Sequence, residues 1–280
     1  MTIAQPRYAL FDHATRSRVE RVWTIFAENT RLRGLRTGPL LLVGFGFTAT
    51  FVPLLLTEIF ASFGLLQGPQ LSSFYQAYES PVLLIFTMLM STMVGAGIVA
   101  DDLRSKAISL YLSRPITILD YLVGKSAVVG LLLALLAILP GLLTALIVGL
   151  LGYVTATVAA EAAAVFLGVG ALTVLTFTGV AVLLSTLTDR KSFSGAGIFA
   201  LLFSVEIVSL ILAGATRDLS FEYLSPWEDV LAVARAGFNV STTPGSTIDP
   251  LVALTVLLVL IPVLFVLAYL RLSRLEVVTD

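Results

Sequence analysis

The 280-residue chain contains no cysteine, which excludes disulfides, thiolate-bound zinc and iron–sulfur clusters. It contains a single histidine, His13, in a polar N-terminal arm. A histidine metal site or a Ser-His triad therefore has almost nothing to be built from. Charge is scarce too. Only 12% of residues are Asp, Glu, Lys or Arg, against about 25% in a soluble domain. Hydrophobic residues make up 58% of the chain, and mean hydropathy is +0.99. Such a composition belongs in a lipid bilayer. The net charge of -1 gives no basic field of the kind that attracts nucleic acid. The arm also lacks the apolar stretch that a cleaved signal peptide requires.

What the chain has instead is six apolar segments, near residues 39–57, 81–100, 126–151, 162–187, 193–215 and 250–270. Each is close to the roughly 20 residues that a spanning helix needs. Pro53, Pro140 and Pro262 fall inside them, where neighbouring helices can satisfy the freed carbonyls. Of the 17 Lys and Arg, only Arg217 and Arg235 fall on one side of an alternating topology. The rest lie in the arm, in the 101–125 loop, at Arg190 and Lys191, and at Arg271 and Arg274. The alternation predicts that both termini are cytoplasmic. The fold class expected is all-α: a polytopic protein of the cell membrane with six transmembrane helices. Residues 1–37 form a cytoplasmic arm, and residues 38–280 form a single transmembrane domain.

Two helices are expected outside the spans. In the arm, Val19, Val22, Trp23, Phe26 and Thr30 recur at helical spacing, which predicts an amphipathic elbow helix in the headgroup region with Trp23 as its anchor. In the outer loop 216–249, Ser225-Pro226-Trp227-Glu228 combines an N-cap serine, a first-turn proline and a glutamate. An apolar stripe through Val230, Leu231, Val233, Ala234 and Phe238 follows, predicting a short amphipathic helix at the outer face. Glu58, Glu79 and Glu161 fall at span ends, where they are expected to be solvated.

The 101–125 loop is the one long charged interval between two spans. Asp101 and Asp102 put negative charge where a short helix would start, and Pro115 would end it. Thr117-Ile118-Leu119-Asp120 fits a capping box, so a second helix starts there and runs into span three. The loop reads equally as a docking elbow or as a solvated hairpin. Gly124-Lys125-Ser126 resembles the end of a phosphate-binding loop, but the first glycine of that motif would have to stand where Leu119 is. Lys125 is therefore read as an interfacial lysine. Glu206 is the one ionisable residue well inside a span, a polar contact in a transport path or else a hydrogen-bonded packing residue.

The stretch from Val99 to Lys125 resembles the second-to-third-span loop of ABC-2 class permeases, the membrane subunits of certain ATP-driven exporters. The residues that carry the resemblance are Asp101-Asp102, Leu112-Ser113-Arg114-Pro115-Ile116 and Val123-Gly124-Lys125. The chain departs from the family run at Lys106-Ala107-Ile108 and at Ile118-Leu119. The resemblance implies a permease, an exporter subunit that pairs with a second copy or a relative. Cytoplasmic ATP-binding cassette subunits would drive it. It implies that Asp101, Asp102, Leu103, Arg104, Lys106, Ile108, Leu112 and Arg114 dock the ATPase, and that the chain is no enzyme and holds no cofactor of its own. A non-transporting assembly or anchoring subunit is the alternative. A secondary transporter fits less well, because it should show several buried charges and paired broken helices.

Overall fold

The computed structural model describes residues 17–65, 70–108, 116–241 and 247–277, all of them helix, turn or loop with no strand among them. Six helices are long and apolar enough to cross a membrane. Span one is Thr37–Ser62, span two Pro81–Arg104, span three Ile118–Ala137, span four Ala156–Thr186, span five Lys191–Thr216, and span six Pro250–Val277. Burial divides them into two groups. Within the most apolar 18-residue stretch of each span, more than half of the residues are buried in spans two, three and four, against less than a quarter in spans one, five and six. The core is thus a three-helix unit with single helices laid around it. Span four touches spans three, five and six, and span one lies against spans two and three.

Three local features shape the bundle. Span two is not a continuous α-helix. It turns into a π-helical turn at Ser91–Gly95, passes through a turn at 96–99, and resumes as Ala100–Arg104. Span three runs from Ile118 to Ala137, breaks at Ile138, and continues as Leu139–Leu150, with Pro140 in the first turn of the second piece. Proline has no N–H to give the preceding turn, which places the break there. The Tyr78 hydroxyl, fully buried, donates to the Ala137 carbonyl beside that break. Pro53 and Pro262 are carried inside unbroken helices.

The elbow helix forms as Arg18–Asn29, with Ser17 and Glu20 completing a reciprocal capping box. Trp23 is 64% exposed on it. It packs on span three, where Gly124 is required: a Cβ there would lie 2.8 Å from the Ile25 side chain. The outer helix forms as Pro226–Gly237, and the Ser225 hydroxyl accepts the N–H groups of Trp227 and Glu228. It is buried more deeply than a surface amphipath. Trp227, Asp229, Val230, Leu231, Ala232 and Ala234 are all covered, mainly by spans four and six. Trp227, Tyr78, Phe166, Phe177 and Phe238 form one aromatic cluster, with ring centroids 5.0–6.5 Å apart. This cluster anchors the outer helix to span four.

The expected helix from Asp101 to Arg114 is corrected in part. Asp101 and Asp102 lie on the last helical turn of span two instead of opening a new helix. That turn ends at Arg104, and Lys106 adopts the left-handed conformation with φ 55°, which an α-helix cannot continue through. Leu112, Arg114 and Pro115 lie outside the described residues.

Candidate functional site

At the end of the bundle that carries the elbow helix, four side chains from three elements form a buried ionic knot. Arg33 follows the elbow helix, in a π-helical turn at Thr30–Gly34. Its Nη1 lies 2.7 Å from Asp101 Oδ2, and its Nη2 lies 3.8 Å from Asp102 Oδ1. Lys125 Nζ, from span three, lies 2.6 Å from Asp102 Oδ2 and donates to Asn29 Oδ1 at 2.7 Å. The Tyr121 hydroxyl donates to Asp102 Oδ2 at 2.9 Å. Asn29 in turn donates to the Ile25 carbonyl at 2.7 Å, which fixes its amide. Two cations face two carboxylates, so the knot is neutral. Every strongly buried member has a hydrogen-bond partner, as a charge taken out of water requires.

The knot closes because of two residues that bear no charge. At Gly97 a Cβ would stand 2.7 Å from both Arg33 Nη1 and Asp101 Oδ2, so any larger residue displaces the ion pair. From span four, the buried Ser185 hydroxyl accepts the N–H groups of Val99 and Ala100, each at 3.0 Å, and donates to the Ala96 carbonyl at 3.1 Å. Ser185 thereby satisfies the backbone of the 96–99 turn, which no regular helix would do. A second pair joins the same elements nearby: Arg18 Nε lies 2.6 Å from Asp120 Oδ1, and Asp120 also completes the Thr117 capping box.

The residues expected to dock a partner are therefore divided. Asp102 is buried against Lys125, and Asp101 is tied to Arg33, so neither is a free surface charge. Leu103 and Ile108 are partly buried against the core of the chain itself. Arg104 and Lys106 are exposed. Lys125 is the largest correction. Instead of an interfacial lysine it is only 1% exposed and lies at the centre of the knot. Sequence reasoning missed Arg33, Asn29, Gly97, Tyr121 and Ser185. Arg33 was absorbed into the positive count of the arm, and no local signal ties it to an acidic pair 68 residues away.

Glu206 stands at the other end of the bundle and is not part of the knot. Its carboxylate accepts a hydrogen bond from the Ser225 hydroxyl, the same group that caps the outer helix. Around it are further carboxylates without cations in contact. Asp229 is 0% exposed, and neither of its oxygens has a hydrogen-bond partner. Burial, reinforced by Glu228, pushes its carboxyl up to about 8. Burial first, then Glu206 and Glu222, pushes Glu228 up to about 7, opposed by Arg235. Arg235 itself donates to the Tyr75 hydroxyl at 2.8 Å. Glu58 is corrected as well: it is fully buried, and accepts the Ser73 hydroxyl at 2.6 Å. No group of His, Asp and Glu among the described residues could hold a metal ion.

Six membrane-length helices, with a broken second span and an ionic joint to an N-terminal elbow helix, define a multi-pass membrane protein. The model of the ABC-2 family transporter proteins matches residues 25–277, and the chain belongs to that family. No curated protein matches it.

Proposed function

We propose that the chain is the permease subunit of an ATP-driven exporter, powered by a separate ATP-binding cassette subunit that docks on the 101–125 loop. The observation that carries this reading is the ionic knot. It ties the elbow helix, the end of span two and the start of span three into one unit, so a force on the loop moves all three. In this reading the protein lies in the cell membrane with its basic end and both termini on the cytoplasmic side, and a second copy or a relative completes the transporter. Arg104 and Lys106, with the segment that follows, supply the face for the ATPase. Asp101, Asp102, Leu103 and Ile108 transmit the load inward, because their side chains already contact the bundle.

The test compares loop variants with a distant one. Purified alone, the chain hydrolyses no ATP. With its partner, Arg104→Glu weakens co-purification or uncouples hydrolysis from transport, whereas Arg217→Glu, beyond span five, does neither. Equal behaviour of the two variants would remove the docking assignment. Topology is checked separately with single cysteines, since the chain has none of its own. Cysteine at Ser220 should react with an impermeant reagent from outside the cell, and cysteine at Ser105 or Ser192 should not.

A further inference from the structure

Beside the knot, a cleft of about 860 Å³ opens between spans two and five. Its charged lining is Arg104, Arg190 and Lys191 with one carboxylate, Asp189. We infer that this cleft binds a phosphate group, either as free phosphate or as the headgroup of an anionic amphiphile.

The first support is unspent positive charge. Elsewhere at this end, Arg18, Arg33 and Lys125 each have a carboxylate within 4 Å. Among the described residues, Arg104, Arg190 and Lys191 make no salt bridge, although Asp189 lines the same cleft. The chain thus holds two excess positive charges around one concave site. Arg190 is also held in place: its guanidinium lies 5.7 Å from the centre of the Phe193 ring. A planar fork fixed on an aromatic face is well suited to a phosphate's paired oxygens.

The second support is backbone polarity. Span five, 26 residues long, begins at Lys191, and no side chain caps its N-terminus. The positive end of its dipole and its free first-turn N–H groups lie beside the three cations.

The third is shape. Thr92, Met93 and Ala96 of span two complete the lining, so the cleft is polar at one edge and apolar along its membrane side. The π-helical turn at Ser91–Gly95 shifts this face out of regular helical register. Spans two and five nearly touch where a Cβ on Gly195 would lie 3.3 Å from that of Ala96. The volume falls in the range of small-molecule sites, about 300–1,000 Å³, and exceeds what a bare phosphate fills. Room remains for the glycerol or sugar that would carry it.

This inference does not need the ATPase, so it is tested on the permease alone in detergent. The probes are dioctanoyl phosphatidylglycerol, the zwitterionic dioctanoyl phosphatidylcholine, and inorganic phosphate, with binding read by native mass spectrometry and by titration. Phosphatidylglycerol should bind at least tenfold more tightly than phosphatidylcholine, and binding should weaken as salt rises. Arg190→Ala with Lys191→Ala should reduce that binding at least tenfold. Arg104→Gln alone should reduce it severalfold, and covers the case in which the double variant fails to fold. Arg271→Ala, a cation on span six, should leave it unchanged. Competition by millimolar inorganic phosphate would identify the phosphate group itself as the ligand, and no competition would assign the site to the amphiphile headgroup. Equal binding of the two lipids, or unchanged binding in both cleft variants, overturns the inference. So does loss of ATPase association in those variants with lipid binding intact.

Discussion

The two ends of the bundle bury charge in opposite ways. At the basic end, Asp102 and Lys125 are buried as a matched pair, with Asn29 and Tyr121 completing their hydrogen bonds and Arg33 3.8 Å from Asp102. At the outer-helix end, Glu206, Glu228 and Asp229 share one region, opposed by Arg235, and among the described residues neither Asp229 oxygen has a hydrogen-bond partner. The first arrangement is stable with its groups ionised. The second favours protonation of Glu228 and Asp229. A joint that must transmit force in either state of a cycle is better made of compensated charge, whereas an uncompensated cluster responds to protons.

The largest expected effect tests the matched pair. Lys125→Ala leaves the buried Asp102 without the cation 2.6 Å from it, a loss of about 3–5 kcal/mol by analogy with broken buried pairs. Its melting temperature in detergent should drop sharply. The double variant Lys125→Met with Asp102→Leu should regain most of the loss, since apolar replacement of a buried pair is often near neutral. If the single variant melts like wild type, the knot is not what joins these helices.

Next comes Gly97→Ala. The added Cβ meets Arg33 and Asp101 at 2.7 Å, and such overpacking typically costs about 1–3 kcal/mol. Unlike the first case, every charge survives. Loss of coupling between ATP hydrolysis and transport with intact insertion would show that the geometry of the pair matters and not merely its presence.

The outer end should show a pH dependence of the opposite kind. Glu228 and Asp229 have folded-state pKa values raised to about 7 and about 8, from 4.5 and 3.8. The native state therefore holds protons that the unfolded chain has released. Their contribution to stability is fully present below about pH 4 and is lost as pH rises through 7 and 8. The melting temperature should fall between pH 5 and pH 9, and Asp229→Asn should flatten the upper part of that slope. Glu206→Gln removes a charge that now raises Glu228, so the midpoint should move to lower pH. A flat profile in the wild type would mean that the cluster carries a counter-charge.

The smallest effect is expected at Arg18, which is 61% exposed in its pair with Asp120. Arg18→Ala should cost less than about 1 kcal/mol, because an exposed ion pair is screened by water and Asp120 keeps its bonds to Thr117.

The spans and both accessory helices were legible in the sequence, because length, hydropathy and capping residues are local signals. Ser17, Thr117 and Ser225 each cap the helix that follows them. The knot was not legible. Its partners Arg33, Asp102 and Lys125 are far apart in sequence, and nothing local distinguishes Lys125 from any lysine at a membrane surface. Only the neighbouring elements make it buried. Likewise a continuous helix from Asp101 had acceptable composition, and the left-handed turn at Lys106 interrupts it. Asp229 went unremarked because an acidic residue in the first turn of a helix has an ordinary explanation in the helix dipole.

The spacing of the knot along the chain also sets an order of events during synthesis. Arg33 and the Asp101–Asp102 pair leave the ribosome well before Lys125. Span two is therefore made with Asp102 lacking its lysine, and the 2.6 Å contact to Lys125 forms only with span three. A nascent chain halted before residue 125 presents an unmatched carboxylate at the membrane surface. The same contact that joins the finished helices can therefore form only once residue 125 has been made.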